Sequence, residues 1–340
     1  MAEWLGTGLQ SRLHGFESRH PLASGEGSPP CPHLVGRIGY SKMRPMSSFT
    51  PSLAEIVATL HVDQIGADDF VATQLDNPAH HIVGGHIAGQ ALMAASRTAP
   101  GRDPHSVHVY YIRAGDARRP VDFHVVRSRD GGTLSTRQVT ARQDGEVLLE
   151  ALASFSAPLD GLDYHGPLPD VPAPESLLGV REQLADYADE LGGYWVRPHP
   201  FELRYVDPPP RLAQELPEPS PRIRLWWRPS EPVVDDAVGA EALHSCLLTY
   251  LTGTTMLETA VTMRRATQAT SYNALIDHAL WFHRPVDLTD WVLSDQLSPS
   301  GIGGRGLATA TMYNRTGELV CVATQELYFG RPRTGQPSTR

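Results

Sequence analysis

The sequence predicts an α+β fold made of two tandem units, each with a central helix wrapped by an antiparallel sheet. Three observations support this prediction. A helical segment near residue 85 has a face of small residues, a run of strands and turns follows it directly, and the same order returns in the second part of the chain.

The first central helix is predicted to begin at Gly84 and Gly85. Its apolar residues fall on one face of a 3.6-residue period, and most of them are small: Ile87, Ala91, Leu92 and Ala95. A helix with small side chains can lie close to a surrounding sheet. Pro100 and Gly101 end it, because proline cannot continue the hydrogen-bond ladder and glycine permits the exit turn.

The elements around this helix follow from apolar periodicity and turn residues. Before it, the pattern predicts a short helix over 51–60 and a strand over 70–73. After it, alternation predicts strands near 107–111, 121–125, 134–141 and 147–155. Asp-Gly pairs at 130–131 and 144–145 are typical of the hairpin turns between them. The order is a helix followed by an antiparallel meander.

A proline- and glycine-rich linker over 158–172 separates the first unit from the second. The patterns after it predict a helical stretch at 176–190, strands at 201–207 and 223–227, a long helix at 243–265 and a strand at 273–287. We therefore divide the chain into an N-terminal unit over 50–160, a linker with a helix over 161–195, and a C-terminal unit over 196–332.

The two units match each other as an internal repeat. YYIRAGD at 110–116 matches WFHRPVD at 281–287, 171 positions later. GEVL at 145–148 matches GELV at 317–320 at an offset of 172, and GHI at 85–87 matches GTT at 253–255 at an offset of 168. An open sheet leaves exposed edges, so we expect the two sheets to join side by side and cover one edge of each.

Composition excludes several classes of protein. The 340 residues have a formal net charge of −9, and general binders of nucleic acid or anionic membranes instead cluster Lys and Arg. No apolar run approaches the roughly 18 residues that span a bilayer. Cys31, Cys246 and Cys321 are too few and too scattered for a disulfide framework or a thiolate zinc site, which favours a reducing cytoplasm. We expect neither a metal nor a cofactor.

Both ends of the chain are expected to lie outside the fold. Residues 1–46 lack an apolar centre and periodicity, so we expect a disordered tail rather than a secretory signal. The first part reads like accidental translation of upstream DNA, so we expect the natural start at Met43 or Met46. An intact mass of the native protein that includes residue 1 would contradict this. Residues 333–340 are expected to be disordered as well.

Four stretches resemble the acyl-CoA thioesterase II family: VGGHIAGQALMAASRTAP, HSVHVYYIRAGD, RDGGTLSTRQVTARQDG and DHALWFHRPVDLTDWVLSDQLSPSGIGGRGLATATMYNRTGELVCVATQE. The resemblance covers residues 70–329. It implies a double hotdog fold, in which each helix is rolled in a sheet, in agreement with the repeat. It also implies hydrolysis of fatty acyl-CoA thioesters, with no metal and no covalent intermediate.

The resemblance implies three groups that orient the attacking water. They are an Asp at the start of the second central helix, a Thr or Ser before the DH pair, and a Gln in a QE pair. Gln325 is the third group. The Asp position falls on Gly253 and the hydroxyl position on Leu275, so two of the three are substituted. If the site is merely decayed, Gly253→Asp with Leu275→Thr should raise hydrolysis.

Hydrolysis also needs a base for the water and donors for the oxyanion. An amide such as Gln325 can accept from water and donate to a carbonyl, but it is not a base. We expect Thr254 and Thr255 at a helix amino terminus, where backbone N–H groups favour an oxyanion. We count Thr254 among the candidate catalytic residues, with Gln325 and positions 253 and 275. The nearest carboxylates in the sequence belong to Glu258 and Asp277.

The candidate base is His86, which begins the first helix; a hydrogen-bonded structural histidine is the alternative. We assign substrate contacts to six residues: Gly85, His86, Thr255, Asp277, His278 and Arg305. Arg305 belongs to a glycine-rich turn between two strands, where it meets a CoA phosphate or is part of a plain surface turn.

The sequence thus predicts an acyl-CoA thioesterase-like protein of lipid metabolism that releases fatty acid and CoA, either as an active enzyme or as one with weak or lost activity. Two alternatives stay open. One is a non-catalytic acyl-CoA-binding hotdog protein, and the other is a hotdog enzyme of the enoyl-thioester hydratase type, for which His86 would be needed. We expect a cytoplasmic homo-oligomer with an acyl-CoA substrate, no nucleic-acid partner and no membrane span.

Overall fold

The computed structural model describes residues 50–75, 77, 80–190, 193, 196–233, 240–263 and 272–330. The two predicted tails, 1–46 and 333–340, lie outside the described residues. So do Cys31, Met43 and Met46, and the end of the predicted helix at Arg264 and Arg265.

The described helices and strands divide into two halves. The N-terminal half contains α1 (Leu53–Leu60), β1 (Asp63–Gln64), β2 (Asp69–Ala72), α2 (Gly84–Arg97), β3 (Asp103–Tyr111), β4 (Val121–Asp130), β5 (Leu134–Gln143) and β6 (Glu146–Ser156). The C-terminal half contains α3 (Val180–Gln183), β7 (Phe201–Tyr205), α4 (Pro210–Ala213), β8 (Arg222–Pro229), α5 (Ala240–Thr255), α6 (Leu257–Met263), β9 (Tyr272–Phe282), β10 (Val292–Ile302), β11 (Arg305–Asn314) and β12 (Leu319–Gly330).

These strands form one 12-stranded sheet in the order β1-β2-β4-β5-β6-β3-β9-β12-β11-β10-β8-β7. The order is symmetric about the junction of β3 and β9, which pair antiparallel and join the halves. At that junction His108 pairs with Ala279, which is its own counterpart 171 positions later. A local twofold axis therefore passes through this pair. The predicted double hotdog, with its two sheets side by side, is confirmed.

Helix α2 lies against the inner face of the N-terminal half of the sheet. Every residue from Gly85 to Ala95 is buried, as the small-residue pattern predicts. The helix packs on β3, β4, β5 and β6 and also on α5 of the other half. Burial on all sides explains why its face is built of alanine and glycine, since close packing leaves no space for larger side chains.

Helices α2 and α5 touch through the backbones of two glycines. A Cβ placed on Gly253 would lie 2.5 Å from Cα of Gly85 and 3.0 Å from its N. A Cβ placed on Gly85 would lie 2.4 Å from the carbonyl oxygen of Tyr250. Gly85 and Gly253 are counterparts in the repeat, so the helix contact obeys the same local twofold relation as the β3–β9 junction. Neither position accepts a side chain unless a helix moves.

Two predicted helices differ from the structure. Residues 176–190 do not form one helix but two 3-10 turns, Pro174–Ser176 and Ala185–Tyr187, on either side of α3. The break occurs because Leu177 and Gly179 have extended backbone. The predicted helix at 243–265 is two helices, α5 and α6, that meet at Met256.

The contact between the glycines predicts a stability effect. Gly253→Ala is expected to destabilise the protein by about 1–3 kcal/mol, because the added methyl group presses on the backbone of Gly85. Denaturant unfolding measures this loss. Gly166→Ala is the matched control, since nothing lies within 4 Å of a Cβ at that position. Equal stability of the two variants would contradict the close helix contact.

Candidate active site

Gln325 and His278 form a buried polar pair on the inner face of the C-terminal half. They lie directly opposite each other on β12 and β9. Both residues are 0% exposed. Within the part of the chain that the structure describes, neither Oε1 nor Nε2 of Gln325 has a hydrogen-bond partner, and Nδ1 of His278 has none either.

Gln90 on α2 shows how a buried glutamine is ordinarily accommodated. Its Nε2 donates to the carbonyl oxygens of Thr59 at 2.6 Å and Thr73 at 2.8 Å, and its Oε1 accepts from Gln74 at 2.8 Å. Buried polar groups are nearly always paired in this way, and an unpaired one costs roughly 1–3 kcal/mol. Gln74, Gln183 and Gln296 each leave only Oε1 unpaired, whereas Gln325 leaves both amide atoms without a partner among the described residues, so its amide is free to bind a polar ligand.

Thr252 of α5 holds the ring of His278. Its Oγ1 lies 3.1 Å from Nε2 of His278 and donates to the carbonyl oxygen of Leu248 at 2.9 Å. Burial lowers the pKa of His278 to about 3, so the imidazole is neutral at pH 7. We call Thr252, His278 and Gln325 the buried polar trio. Sequence reasoning missed Thr252, because nothing in the local sequence shows that α5 lies against β9.

Gly253 and Leu275, the positions at which the resemblance implies an Asp and a hydroxyl, lie nearby, but packing fills both. A Cβ on Gly253 would lie 3.5 Å from Cε1 of His278, so position 253 is beside the trio. Leu275 is half-buried, and its Cδ1 lies 2.7 Å from where a Cβ on Gly84 would be. The hydroxyl of Tyr111 donates to the carbonyl oxygen of Gly84 at 3.0 Å. Leu275 thus covers the first residue of α2 with an apolar side chain.

The expectation that Thr254 and Thr255 lie at a helix amino terminus is wrong. Both belong to the last turn of α5, which begins at Ala240, well before the repeat position. Each hydroxyl donates to the carbonyl oxygen of Leu251 at 2.9 Å. Their hydroxyl protons are therefore used within the helix, and this turn does not offer the exposed N–H groups of a helix start.

His86 is buried at the start of α2 and bonds to neighbouring helices. Its Nε2 lies 2.9 Å from Oγ1 of Thr59, and its ring meets that of Tyr250 edge-on at 6.3 Å. Burial lowers the pKa of His86 to about 3. These contacts join it to α1 and α5, whereas the predicted contact with Gln325 is not among them.

Asp277 and Arg305 lie on the opposite side of the strands from Gln325. Asp277 accepts a hydrogen bond from the backbone N of Glu326 at 2.9 Å, and burial raises its pKa. Nε of Arg305, which is exposed, donates to the carboxylate of Glu326 at 3.0 Å. Side chains alternate along a strand, so these two do not meet the buried polar trio.

Glu258 is the remaining carboxylate that the sequence singled out. It is half-buried on α6 and accepts a hydrogen bond from the hydroxyl of Tyr205 at 2.7 Å. Burial raises its pKa to about 7. This contact directs the carboxylate towards β7, the edge strand of the sheet.

The structure also bears on metals and membranes. Among the described residues, no group of three or more His, Cys, Asp or Glu side chains is placed to hold a metal ion. No helix in the same part of the chain combines the length and apolarity required to cross a bilayer. Cys246 and Cys321 are buried free thiols.

Comparison with known proteins matches both halves of the chain to domains of acyl-CoA thioesterases. Residues 73–156 match the acyl-CoA thioesterase N-terminal domain, and residues 173–329 match the acyl-CoA thioesterase C-terminal domain. The tesB protein of Mycobacterium avium subs paratuberculosis is similar in structure, with 42% identity, a TM-score of 0.68, and coverage of 82% of this chain and 99% of that chain.

Two further relatives agree with this match. Acyl-CoA thioesterase II TesB2 from Mycobacterium marinum is 33% identical with a TM-score of 0.67, and the match covers 82% of this chain and 99% of that chain. Acyl-coenzyme A thioesterase 8 of Mus musculus is 31% identical over 260 residues, which are 73% of this chain and 80% of that protein.

The structure argues against a gain in hydrolysis from Gly253→Asp with Leu275→Thr, the change expected to raise it if the site is merely decayed. An Asp at 253 is expected to destabilise the protein, because its Cβ would lie 2.5 Å from Cα of Gly85, and no gain in rate should follow. Unfolding and thiol release from acyl-CoA measure both effects, with Leu275→Thr alone as the control. A double variant of unchanged stability and higher activity would contradict this.

The buried histidines predict a dependence of stability on pH. The pKa of His86 is about 3 in the folded chain against 6.5 ordinarily. Between these values the unfolded chain binds a proton that the folded chain does not, so the free energy of unfolding falls as pH falls, by about 1.4 kcal/mol per pH unit.

His86→Gln removes this contribution and keeps a donor for Thr59. The slope of the free energy of unfolding against pH, measured by denaturant unfolding between about pH 4 and 6, should therefore be smaller in the variant by about 1.4 kcal/mol per pH unit. Identical slopes would mean that His86 is protonated in the folded protein.

Proposed function

Because the chain belongs to the acyl-CoA thioesterase family, we propose that it hydrolyses acyl-CoA to a free fatty acid and CoA, by attack of water on the thioester carbonyl. The two matched thioesterase domains provide the reaction class. The buried polar trio provides groups that can hold the reacting atoms. The proposed role in the cell is lipid metabolism.

The single observation that supports this reaction most is the unpaired amide of Gln325. Its Nε2 can donate to the thioester carbonyl, and its Oε1 can accept from the attacking water. The amide is fixed in a strand and excluded from water, where a donor stabilises a developing oxyanion far better than in solution. Gln325 is also the one family group of the three that this chain retains.

A non-catalytic acyl-CoA-binding protein is the second candidate. Gly253 and Leu275 favour it, because neither offers the carboxylate or hydroxyl that the family resemblance implies. In such a protein the same amide of Gln325 would bind the thioester carbonyl without turnover. The hydratase alternative is not argued further, since both matched domains are acyl-CoA thioesterase domains.

The proposal extends to a homo-oligomer in a reducing cytoplasm. On the outer face beside the central junction, Tyr110 is 60% exposed and Leu152 is 51% exposed, and large apolar residues together at a surface favour association. The buried free thiols of Cys246 and Cys321 fit a reducing compartment. Size-exclusion chromatography with light scattering measures the molar mass of the protein in solution. A monomer at all concentrations would contradict the proposed homo-oligomer.

The role of Gln325 predicts a loss of rate on its removal. Gln325→Ala should lower kcat for acyl-CoA hydrolysis by about 10²–10³-fold, because a preorganised donor is lost. Release of the CoA thiol measures the rate. Thr324→Ala is the matched control, since Thr324 is the preceding residue of β12 and points to the other face. A Gln325→Ala protein as fast as this control would remove Gln325 from the mechanism.

Turnover itself separates the two candidate functions. A panel of acyl-CoA thioesters of short, medium and long chain is expected to release thiol with at least one member. Binding of the same thioesters, measured by fluorescence, is expected for both candidate functions and serves as the reference. Binding without thiol release from any member would overturn the hydrolase and support the binding protein.

A further inference from the structure

The hydrogen bonds of Thr252 favour one ring nitrogen of His278 as the site of the proton. The Thr252 hydroxyl has a single proton, and Oγ1 lies 2.9 Å from the carbonyl oxygen of Leu248 and 3.2 Å from that of Thr249. A threonine within a helix commonly donates to the carbonyl oxygen four residues back. With the proton given to the helix in this way, Oγ1 accepts from Nε2–H of His278, 3.1 Å away, and Nδ1 keeps a free lone pair.

This lone pair belongs to the cross-strand neighbour of Gln325, whose amide is also unpaired. The two residues are directly paired across β9 and β12, and both are 0% exposed. Together they present one acceptor nitrogen, one amide N–H₂ donor and one acceptor oxygen without partners among the described residues. A water molecule and a thioester carbonyl match this set, because water donates to nitrogen and oxygen while the carbonyl accepts from the amide.

We infer that His278 is the general base of the proposed hydrolysis, accepting through Nδ1 a proton from the water that attacks the thioester bound at Gln325. The inference rests on the proposed function and names the group that takes the place of the family's missing carboxylate. The attacking oxygen forms a bond to the carbonyl carbon, the C=O electron pair moves onto oxygen, and the water proton passes to Nδ1.

Collapse of the tetrahedral intermediate completes the hydrolysis. The oxyanion re-forms its C=O bond as the C–S bond breaks, and the sulfur leaves with the electron pair. Nδ1–H returns its proton to that sulfur, so that the products are a fatty acid and the CoA thiol. Throughout, Nε2–H of His278 stays bonded to Oγ1 of Thr252, which makes Thr252 the positioning residue.

The position of the ring supports this role. Cε1 of His278 lies 3.5 Å from where a Cβ on Gly253 would be, and Gly253 is the position at which the family resemblance implies an Asp. The imidazole therefore lies within reach of the place that the carboxylate would occupy. With glycine at 253, no side chain from that position covers this edge of the ring.

Other basic groups are less well placed. Nδ1 of His86 is also unpaired among the described residues, but that ring bonds to Thr59 of α1 and packs on Tyr250 of α5. Asp277 lies on the opposite side of its strand, and the carboxylate of Glu258 is bonded to the hydroxyl of Tyr205. Burial keeps the imidazole of His278 neutral at pH 7, so its lone pair is available. Because the imidazolium and the oxyanion form in the same step, the buried site gains no net charge.

Two substitutions of His278 distinguish the roles of its two ring nitrogens. His278→Asn places a polar atom near the Nδ1 position without a base, and His278→Gln retains a polar atom near Nε2 for Thr252. With full-length protein, both are expected to lower kcat by about 10²–10⁴-fold, while the Kd of a thioether analogue of acyl-CoA changes by less than about threefold. His108→Asn, on the exposed side of the neighbouring strand β3, is the matched control and should keep the wild-type kcat.

Thr252 provides a separate readout of positioning. Thr252→Val removes the acceptor for Nε2–H and should lower kcat with little change in KM, whereas Thr252→Ser restores the acceptor and should restore kcat. A purely structural role would instead give equal losses of stability and no rescue that is specific to kcat. Thermal unfolding of each variant is recorded alongside the kinetics.

The tautomer of His278 can be measured on the wild-type protein, in the absence of turnover. In wild-type protein with ¹⁵N-labelled histidine, the ring of His278 at pH 7 is expected to be the neutral Nε2–H form. Its signals are assigned by their loss in His278→Gln or His278→Asn. An Nδ1–H tautomer, or an imidazolium, would overturn the inference.

The outcomes distinguish this inference from the function on which it rests. If wild type hydrolyses acyl-CoA and both His278 variants keep its kcat, the base is another group and only the inference fails. If wild type hydrolyses no acyl-CoA thioester, the proposed function fails and the role of His278 fails with it. Loss of kcat in both variants, with the analogue still bound and the Nε2–H tautomer observed, supports both.

Discussion

The backbone contact between Gly85 and Gly253 is the constraint on which the rest of the structure depends. At this point the central helices of the two halves meet backbone to backbone. The same relation appears in the sheet, where His108 pairs with its own counterpart, Ala279. The helix layer and the sheet layer thus share one local twofold symmetry. A change in the distance between α2 and α5 would have to be matched by a change at the β3–β9 junction.

The close helix contact also decides the chemistry that this chain can offer. A carboxylate at position 253 would need space that Gly85 occupies, so the Asp that the resemblance implies there is incompatible with this helix spacing. The same placement of α5 brings Thr252 to the ring of His278. One packing solution therefore excludes a carboxylate and orients an imidazole a few ångströms away. Glycine at 253 is thus a requirement of the close helix contact.

The two halves treat a buried glutamine differently. In the N-terminal half, Gln90 makes three hydrogen bonds to neighbouring segments and stabilises the fold. In the C-terminal half, neither amide atom of Gln325 has a partner among the described residues, and neither does Nδ1 of His278. Single unpaired atoms also occur in the N-terminal half, at Nδ1 of His86 and Oε1 of Gln74, so Gln325 is set apart by an amide whose donor and acceptor are both free.

The sequence by itself determined the architecture. Periodicity placed α2, Asp-Gly pairs placed the hairpins, and the offset of about 170 residues between matching motifs revealed the duplication. These signals are local or repeat along the chain, so they need no knowledge of the packing. The motif match identified Gln325 as the retained family group for the same reason.

Only the tertiary structure decided which partners surround that group. Sequence reasoning placed Thr254 and Thr255 at a helix start, but α5 begins earlier and consumes their hydroxyl protons. It gave no signal for Thr252, and it allowed an Asp at 253 that Gly85 excludes. Such outcomes depend on how closely two helices approach and which face of a strand meets them. Those distances are set by contacts between residues far apart in the chain, which no local pattern encodes.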